Sequence, residues 1–285
     1  MTSTRSIAER SRRFTLGRVA LFVVLIAAFF ALDGNERVPT SAAEGDSFNG
    51  AQPASRPSGD ILRVAELNIA GGVGKADNRL DLDRTAAAIH GYDLIGLEEV
   101  HGADLLASED QAQILGEKLN LPWLYAPVER RWWKDSFGNA AITSLRVDHW
   151  QRIPISAEDA STHRNVLMLR VDLNGRPLNV LITHLDRKDD RPHELRAVIT
   201  LFESLREPAI LMGDLNSDPS DPRIAALQKE PGVGDPVGQA LGDKVGANLD
   251  WIFTRGFRVN HSGITDNGAS DHYLAWAELE LNPVK

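Results

Sequence analysis

The stretch ILRVAELNIAGGVGKADNRLDLDRTAAAIHGYDLIGLEEV, residues 61–100, decides the fold. Ile61 to Ile69 is an apolar-rich run of strand length, and Asp93 to Val100 is a second. Between them, Leu80 to His90 has helical spacing, with Leu82, Ala86 and Ile89 on one face. Strand, helix, strand is the grammar of sheets with helices packed outside. The same alternation runs downstream. Ala140 to Ser144, Val166 to Leu173 and Leu178 to Leu185 read as strands, the last two joined by the Asn174-Gly175 turn. His193 to Leu205 reads as a helix and Ala209 to Met212 as a short buried strand. Ser108-Glu109-Asp110-Gln111 fits a capping box opening a helix toward Leu119, and Asp221-Pro222 starts another. Leu249 to Thr254 and Tyr273 to Leu281 close the set. Seven or more strands and four helices fit a mixed α/β sandwich better than one open sheet.

Upstream of this domain the sequence changes character. Residues 1–18 are basic, and residues 19–32 are an uninterrupted apolar run of 14. This is the order of an export signal, with Ser41-Ala42-Ala43 as a small-residue cleavage site and Ser11-Arg12-Arg13-Phe14 as a twin-arginine pattern. The run is short of the ~20 residues that span comfortably. It is expected either to be removed or to anchor the chain, in both cases sending the rest across the membrane. The localisation expected is periplasmic or extracellular, or membrane-anchored with the domain outside. Residues 33–59, rich in Gly, Pro, Ser, Ala and Asn, are expected to be a disordered linker, and 60–285 the catalytic domain. No internal repeat is visible.

The net charge of -9 conceals a leader of +3 over residues 1–43 and a remainder of -12. That balance argues against a basic arm that coats nucleic acid by phosphate contacts alone. The absence of cysteine excludes a disulfide scaffold, a thiolate metal site and a cysteine nucleophile.

Several apolar runs stop at a group able to do chemistry: Asn68, Glu98-Glu99, His184, Asp214-Leu215-Asn216, Asp250 and Asp271-His272. Each alone is an ordinary turn feature. Together they supply carboxylates, amides and imidazoles, the groups that hold a hard divalent cation and move protons at a phosphate. Gly71-Gly72-Val73-Gly74-Lys75 lacks P-loop spacing, which excludes nucleotide binding there. His90, His149, His193 and His261 have no partner pattern and read as structural.

This set and its order resemble the endonuclease/exonuclease/phosphatase superfamily, whose members are similar to deoxyribonuclease I. The resemblance covers about residues 61–281 and rests on Leu67-Asn68, Leu97-Glu98-Glu99-Val100, Gly138-Asn139-Ala140, Thr183-His184-Leu185, Gly213-Asp214-Leu215-Asn216, Leu249-Asp250-Trp251-Ile252 and Ser270-Asp271-His272. It implies a four-layer α/β/β/α sandwich of two mixed sheets with helices outside, and metal-dependent phosphodiester or phosphomonoester hydrolysis. On that resemblance Glu99 would be the main ligand of Mg²⁺ (or Mn²⁺), with Asn68 and Asp271 completing the site. Asp214 would orient or deprotonate the attacking water, and Asn216 would hold it or a phosphate oxygen. His272, oriented by Asp250, would contact the phosphate, and His184 would donate a hydrogen bond or proton to it. Asn139 and Arg164 would line the phosphate side.

Three departures stand out. Glu98 occupies a position where the family often has Gln. Ser161-Thr162-His163-Arg164 lacks the glutamate that often orients the first histidine. Thr183-His184-Leu185 carries histidine where exonuclease III-like enzymes have tyrosine, which tilts the likeness toward deoxyribonuclease I, sphingomyelinases and inositol phosphatases. The substrate is expected to be a phosphate ester, whether nucleic acid, phospholipid or inositol phosphate. No obligate protein partner is expected of what reads as a monomer. A non-catalytic, envelope-tethered binding domain of the same fold is the competing class.

Overall fold

The computed structural model describes residues 3–32, 36–50, 61–104, 107–132, 134–135 and 137–283. Two mixed sheets lie face to face. The first runs, in spatial order, Phe257–Thr265, Leu274–Leu281, Ile61–Asn68, Leu94–His101, Phe137–Thr143 and Trp123–Pro127. The second runs Val233–Gly234, Asp250–Arg255, Ala209–Asp214, Arg176–Thr183, Asn165–Leu173, Arg146–Pro154 and Ala43–Gly45. Each sheet has one parallel pair at its centre, Ile61–Asn68 with Leu94–His101 and Arg176–Thr183 with Ala209–Asp214. A parallel pair needs a crossover, and helices Leu82–Ala88 and Arg191–Ser204 supply them.

Both faces of the central strands are covered, which is why they read as continuous apolar runs. Leu62 and Val64 of Ile61–Asn68 belong to the core between the sheets, with Ile182, Ile210 and Met212. Ala65 and Leu67 of the same strand pack outward with Ile89 and Leu115. Each such fully buried side chain contributes about 1.5–3 kcal/mol. Helix Arg191–Ser204 lays Leu195, Val198 and Phe202, spaced three and four apart, on the second sheet.

Two local expectations shift. The helix at 108–119 starts at Gln111; its cap is Asp110, whose carboxylate accepts from Gln113 N, so Ser108 is not the capping residue. Two strands were not legible: Arg146–Pro154, covered on its outer side only by the three residues Ala43–Gly45, and Phe257–Thr265, at the edge of the first sheet; half-exposed strands lack a clean alternation of polar and apolar residues.

The expected linker is partly ordered. Val38–Pro39 pairs with Glu129–Arg131, Ala43–Gly45 extends the second sheet, and Asn49 bridges to Trp123. Phe48 is buried, and the Thr40 hydroxyl donates to Pro127 O at 2.6 Å. Low apolar content does not prevent order where open strand edges accept backbone hydrogen bonds. Residues 33–35 and 51–59 of that expected linker lie outside the described residues.

Residues Ser3–Leu32 form one helix of 30 residues that joins the basic and apolar parts of the leader. Among the described residues no helix is long and apolar enough to cross a membrane.

Candidate active site

The chemistry-bearing residues gather where the carboxyl ends of the two parallel pairs face each other. Asn68 ends one strand and Asp214 another, and they meet across the sheets: Asn68 Nδ2 donates to Asp214 Oδ2 at 3.2 Å. Gly213 makes this approach possible. It sits at φ +140°, and a Cβ there would fall 1.8 Å from Thr183 O, so no side chain fits. That close contact sets His184, the next residue after Thr183, beside Asp214. Asn216 takes φ +45° and donates its backbone N–H to Asp214 Oδ1 at 2.9 Å, closing a turn that fixes the carboxylate.

Glu99 is held by strain of another kind. The register of Leu94–His101 shifts between Leu97 and Val100, and Glu99 adopts φ +52° inside that bulge. A bulge re-aims a side chain, and a glutamate in the left-handed region persists only where its surroundings impose it. Its Oε1 lies 3.9 Å from His184 Nδ1 and 3.7 Å from the Arg187 guanidinium.

Asp214 is the hub. Its Oδ2 lies 3.5 Å from His184 Nε2 and 4.0 Å from His272 Nε2, so one buried carboxylate faces two imidazoles. His272 Nδ1 sits 3.0 Å from both oxygens of Asp250. The turn carrying His272 is pinned in place: Ser270 Oγ donates to Asn68 O at 2.6 Å and accepts from His272 N at 3.1 Å. Arg164 is buried, covers the Phe137 ring at 5.2 Å, and brings Nη1 to 3.5 Å from His184 Nδ1. Asn139 Nδ2 donates to Asn165 O and Oδ1, both at 3.0 Å, while its own Oδ1 is buried without a protein partner. Asn216 Nδ2 donates to Leu185 O at 2.9 Å. Asp271 is exposed beside His272, 3.4 Å from the Ser270 hydroxyl.

The two histidines are tuned apart. Burial works against a charged His272, but the hydrogen bond and charge of Asp250 outweigh it and hold the imidazole up to about 9. Burial, reinforced by Arg164, drives His184 well below the usual histidine range. Burial and then the charge of Asp250 push Asp214 up to about 6. At neutral pH this is an imidazolium, a neutral imidazole and a carboxylate within contact of one another.

Oxygen donors suit a hard divalent cation. Among the described residues one group of three converges within 4.8 Å: Asp214, Asp250 and His272. Asn68 touches this group, Glu99 reaches it through His184, and Asp271 is adjacent in sequence. Asp214 and Asp250 bring two carboxylates together there, and the side chain of Asp214 meets an amide, a backbone N–H and two histidines. The residues present therefore fit such a cation. A cleft of about 480 Å³ opens beside the centre, lined in part by Arg187, Arg191, Asn216 and His272.

Three contributors, Glu66, Glu194 and Arg187, were not legible beforehand, and Glu98 was visible only as a carboxylate where the family often has Gln. Glu66 and Glu98 are both fully buried and face each other between the sheets; burial pushes Glu98 up to about 8 and raises Glu66 as well. Glu98 thus points away from Glu99. Glu66 lies two residues before Asn68 on the same strand face, a spacing that could have revealed it. Glu194 accepts from the Ser156 hydroxyl at 2.7 Å and from Asp186 N at 2.7 Å, and its charge is the foremost support of a charged Arg164. It stands behind Arg164, where the sequence offers no glutamate before that residue. Arg187 carried no pattern.

Such a two-sheet α/β sandwich, with acids, amides and histidines at facing strand ends, defines a phosphoesterase fold. The sequence profile described as "Endonuclease/Exonuclease/phosphatase family" matches residues 65–272, and the chain belongs to this family. Its members are generally hydrolases of phosphoester bonds and typically depend on a divalent metal. An endonuclease/exonuclease/phosphatase structure from Beutenbergia cavernae DSM 12333 is similar at 23% identity and TM-score 0.61, covering 78% of this chain and 72% of that one. One from Bacteroides vulgatus aligns at 18% identity and TM-score 0.63, covering 78% and 99%. Humanized D. rerio TDP2 aligns at 19% and 0.59, covering 78% and 100%. These likenesses concern the fold. No curated protein matches the sequence significantly.

Proposed function

We propose that the protein is an exported, Mg²⁺- or Mn²⁺-dependent phosphoesterase, a phosphodiesterase or endonuclease by preference, which hydrolyses a P–O bond by in-line attack of water. One observation carries this reading: the Asp214 carboxylate between a neutral His184 and a charged His272. Asp214 accepts a hydrogen bond or proton from the attacking water. The two imidazoles bracket the position a phosphate would take next to Asp214. His272 offers a charged N–H to phosphoryl oxygens as negative charge grows, and Asp250 keeps its tautomer and charge. His184 and Arg164 complete the anion side. The unpartnered Asn139 Oδ1 leaves that amide room to bond a polar group of the substrate. Asn216 fixes Asp214 through its backbone N–H. Asn68, Glu99 and Asp271 would hold the cation, which when bound supplies Lewis-acid polarisation of a phosphoryl oxygen.

Nucleic acid is the favoured substrate class, supported by a solved relative, D. rerio TDP2, whose structure is described as complexed with single-strand DNA product. A phospholipid head group is the second reading, favoured by the apolar leader and the exposed Trp132. Export rests on six arginines preceding or flanking a 14-residue apolar run in the leader. A substrate panel tests these together. Activity on DNA that falls steeply with salt supports a polyanion, and activity only on vesicles supports lipid. No cleavage of any diester, nucleic acid, lipid or inositol phosphate with Mg²⁺ or Mn²⁺ would leave a non-catalytic binding domain.

A further inference from the structure

A cationic aromatic hairpin stands outside the proposed reaction. Glu129–Arg131 pairs with Lys134–Asp135, and Trp132 lies in the turn between them. Trp132 is 71% exposed, more than any other large apolar residue among the described ones. Its ring meets those of Phe29 and Phe30, edge-on at 5.3 and 6.4 Å, near the C-terminal end of the leader helix. The backbone then ties the same two parts together, because Val38, six residues past the helix end at Leu32, pairs with Arg130.

The leader itself restricts what can cover it. Leu21, Phe22, Val23, Val24 and Leu25 are consecutive, and each is 58–64% exposed. Consecutive helical residues step 100° apart, so five of them bare means apolar surface around the whole circumference. A folded partner with one flat face covers one side of a helix; a lipid phase covers all of it. Trp132 at the end of that helix, with Arg130 and Arg131 next to it, is the arrangement of an interfacial belt. Indole rings settle at the head-group level, and arginines meet lipid phosphates there.

We propose that the hairpin around Trp132 is a membrane-interface contact. With the apolar residues 19–32 of the leader helix in lipid, the indole and the neighbouring arginines rest among the head groups of the same bilayer, anionic phospholipid being the preferred partner. The domain is thereby held against the membrane surface. This rests on the reading that the leader is retained as an anchor.

The chain has no cysteine, so a single introduced thiol reports one position. Full-length Trp132→Cys, labelled with an environment-sensitive fluorophore, is reconstituted into phosphatidylcholine vesicles containing phosphatidylglycerol. Leu80→Cys, at an exposed position on the domain, serves as the aqueous control. The proposal expects the label at 132 to lose most of its emission to head-group-proximal nitroxide lipid and to be shielded from iodide, with the reverse at 80. Co-flotation with vesicles but an iodide-accessible, lipid-insensitive label at 132 overturns the hairpin contact while leaving the anchor standing. Failure to co-float overturns both. Arg131→Cys, on the same hairpin, gives an independent reading should the Trp132 variant fail to fold.

Discussion

Replacing Asp250 by asparagine keeps the shape of the His272 partner and removes its charge. Both carboxylate oxygens lie 3.0 Å from His272 Nδ1, and Asp250 is the largest influence that raises this imidazole, to about 9, against the burial that would lower it. With asparagine the burial cost is largely unopposed, and the pKa returns to the ordinary ~6.5 or below. At pH 7.5 the imidazolium share then falls from about 97% to about 10%. A reaction that uses the cation slows about tenfold at that pH, and its alkaline limb moves from about 9 to about 6.5. The same shift is a stability statement. The folded pKa exceeds the unfolded one, so the stabilisation is complete below pH 6.5, declines between 6.5 and 9, and is gone above 9. Its size is on the order of 3 kcal/mol. Proton NMR of the imidazoles in metal-free protein reads the first quantity, and urea unfolding at pH 6 and 9.5 the second. A wild-type His272 that titrates at or below 6.5 refutes the reasoning. So does a stability difference between the two pH values that is the same in wild type and variant.

Three further outcomes follow from contacts elsewhere in the site. Glu98 is raised to about 8, so folding binds its proton more tightly than the unfolded chain does, and stability falls as pH rises from about 4.5 to 8. Glu98→Gln removes that loss and should melt higher than wild type at pH 9, with the advantage shrinking toward pH 5; an advantage independent of pH contradicts it. Arg187→Gln takes a cation from beside Glu99 and should tighten Mn²⁺ binding several-fold by titration calorimetry, whereas unchanged or weaker binding would show that the ion pair does not compete. Gly213→Ala puts a Cβ against Thr183 O and should cost about 2–4 kcal/mol in denaturant unfolding; near-neutrality would mean the strands can separate.

The alternation of strands and helices was legible because the central strands are buried on both faces and read as apolar runs. So were the residues at their ends: Asn68, His184, Asp214 and Asp250 all fall where an apolar run stops, and all converge. What stayed hidden depends on partners far away in sequence. The segment 36–50 is ordered by edges it pairs with 74 to 109 residues later, and nothing in its own composition announces that. Glu66 looked like an ordinary strand position and Glu98 only like an extra carboxylate beside Glu99, because a buried carboxyl pair requires knowledge of which faces meet. Glu194 reaches Arg164 through a helix turn and Ser156, a three-body arrangement with no spacing rule. The left-handed backbone at Glu99 follows from a bulge in its pairing with Phe137–Thr143, which a single strand cannot reveal.

The central claim is that Asp214 and the two histidines carry metal-assisted hydrolysis of a phosphoester. Its most direct test is cleavage of bis-p-nitrophenyl phosphate by the purified full chain, with EDTA and with added Mg²⁺ or Mn²⁺, in wild type, Asp214→Ala and His272→Ala. Wild type should turn the diester over, EDTA should abolish that turnover and the metal should restore it. Each variant should lose about 10²–10⁴-fold with the fold intact by circular dichroism. Turnover that survives EDTA, or an Asp214→Ala protein as active as wild type, would contradict the claim.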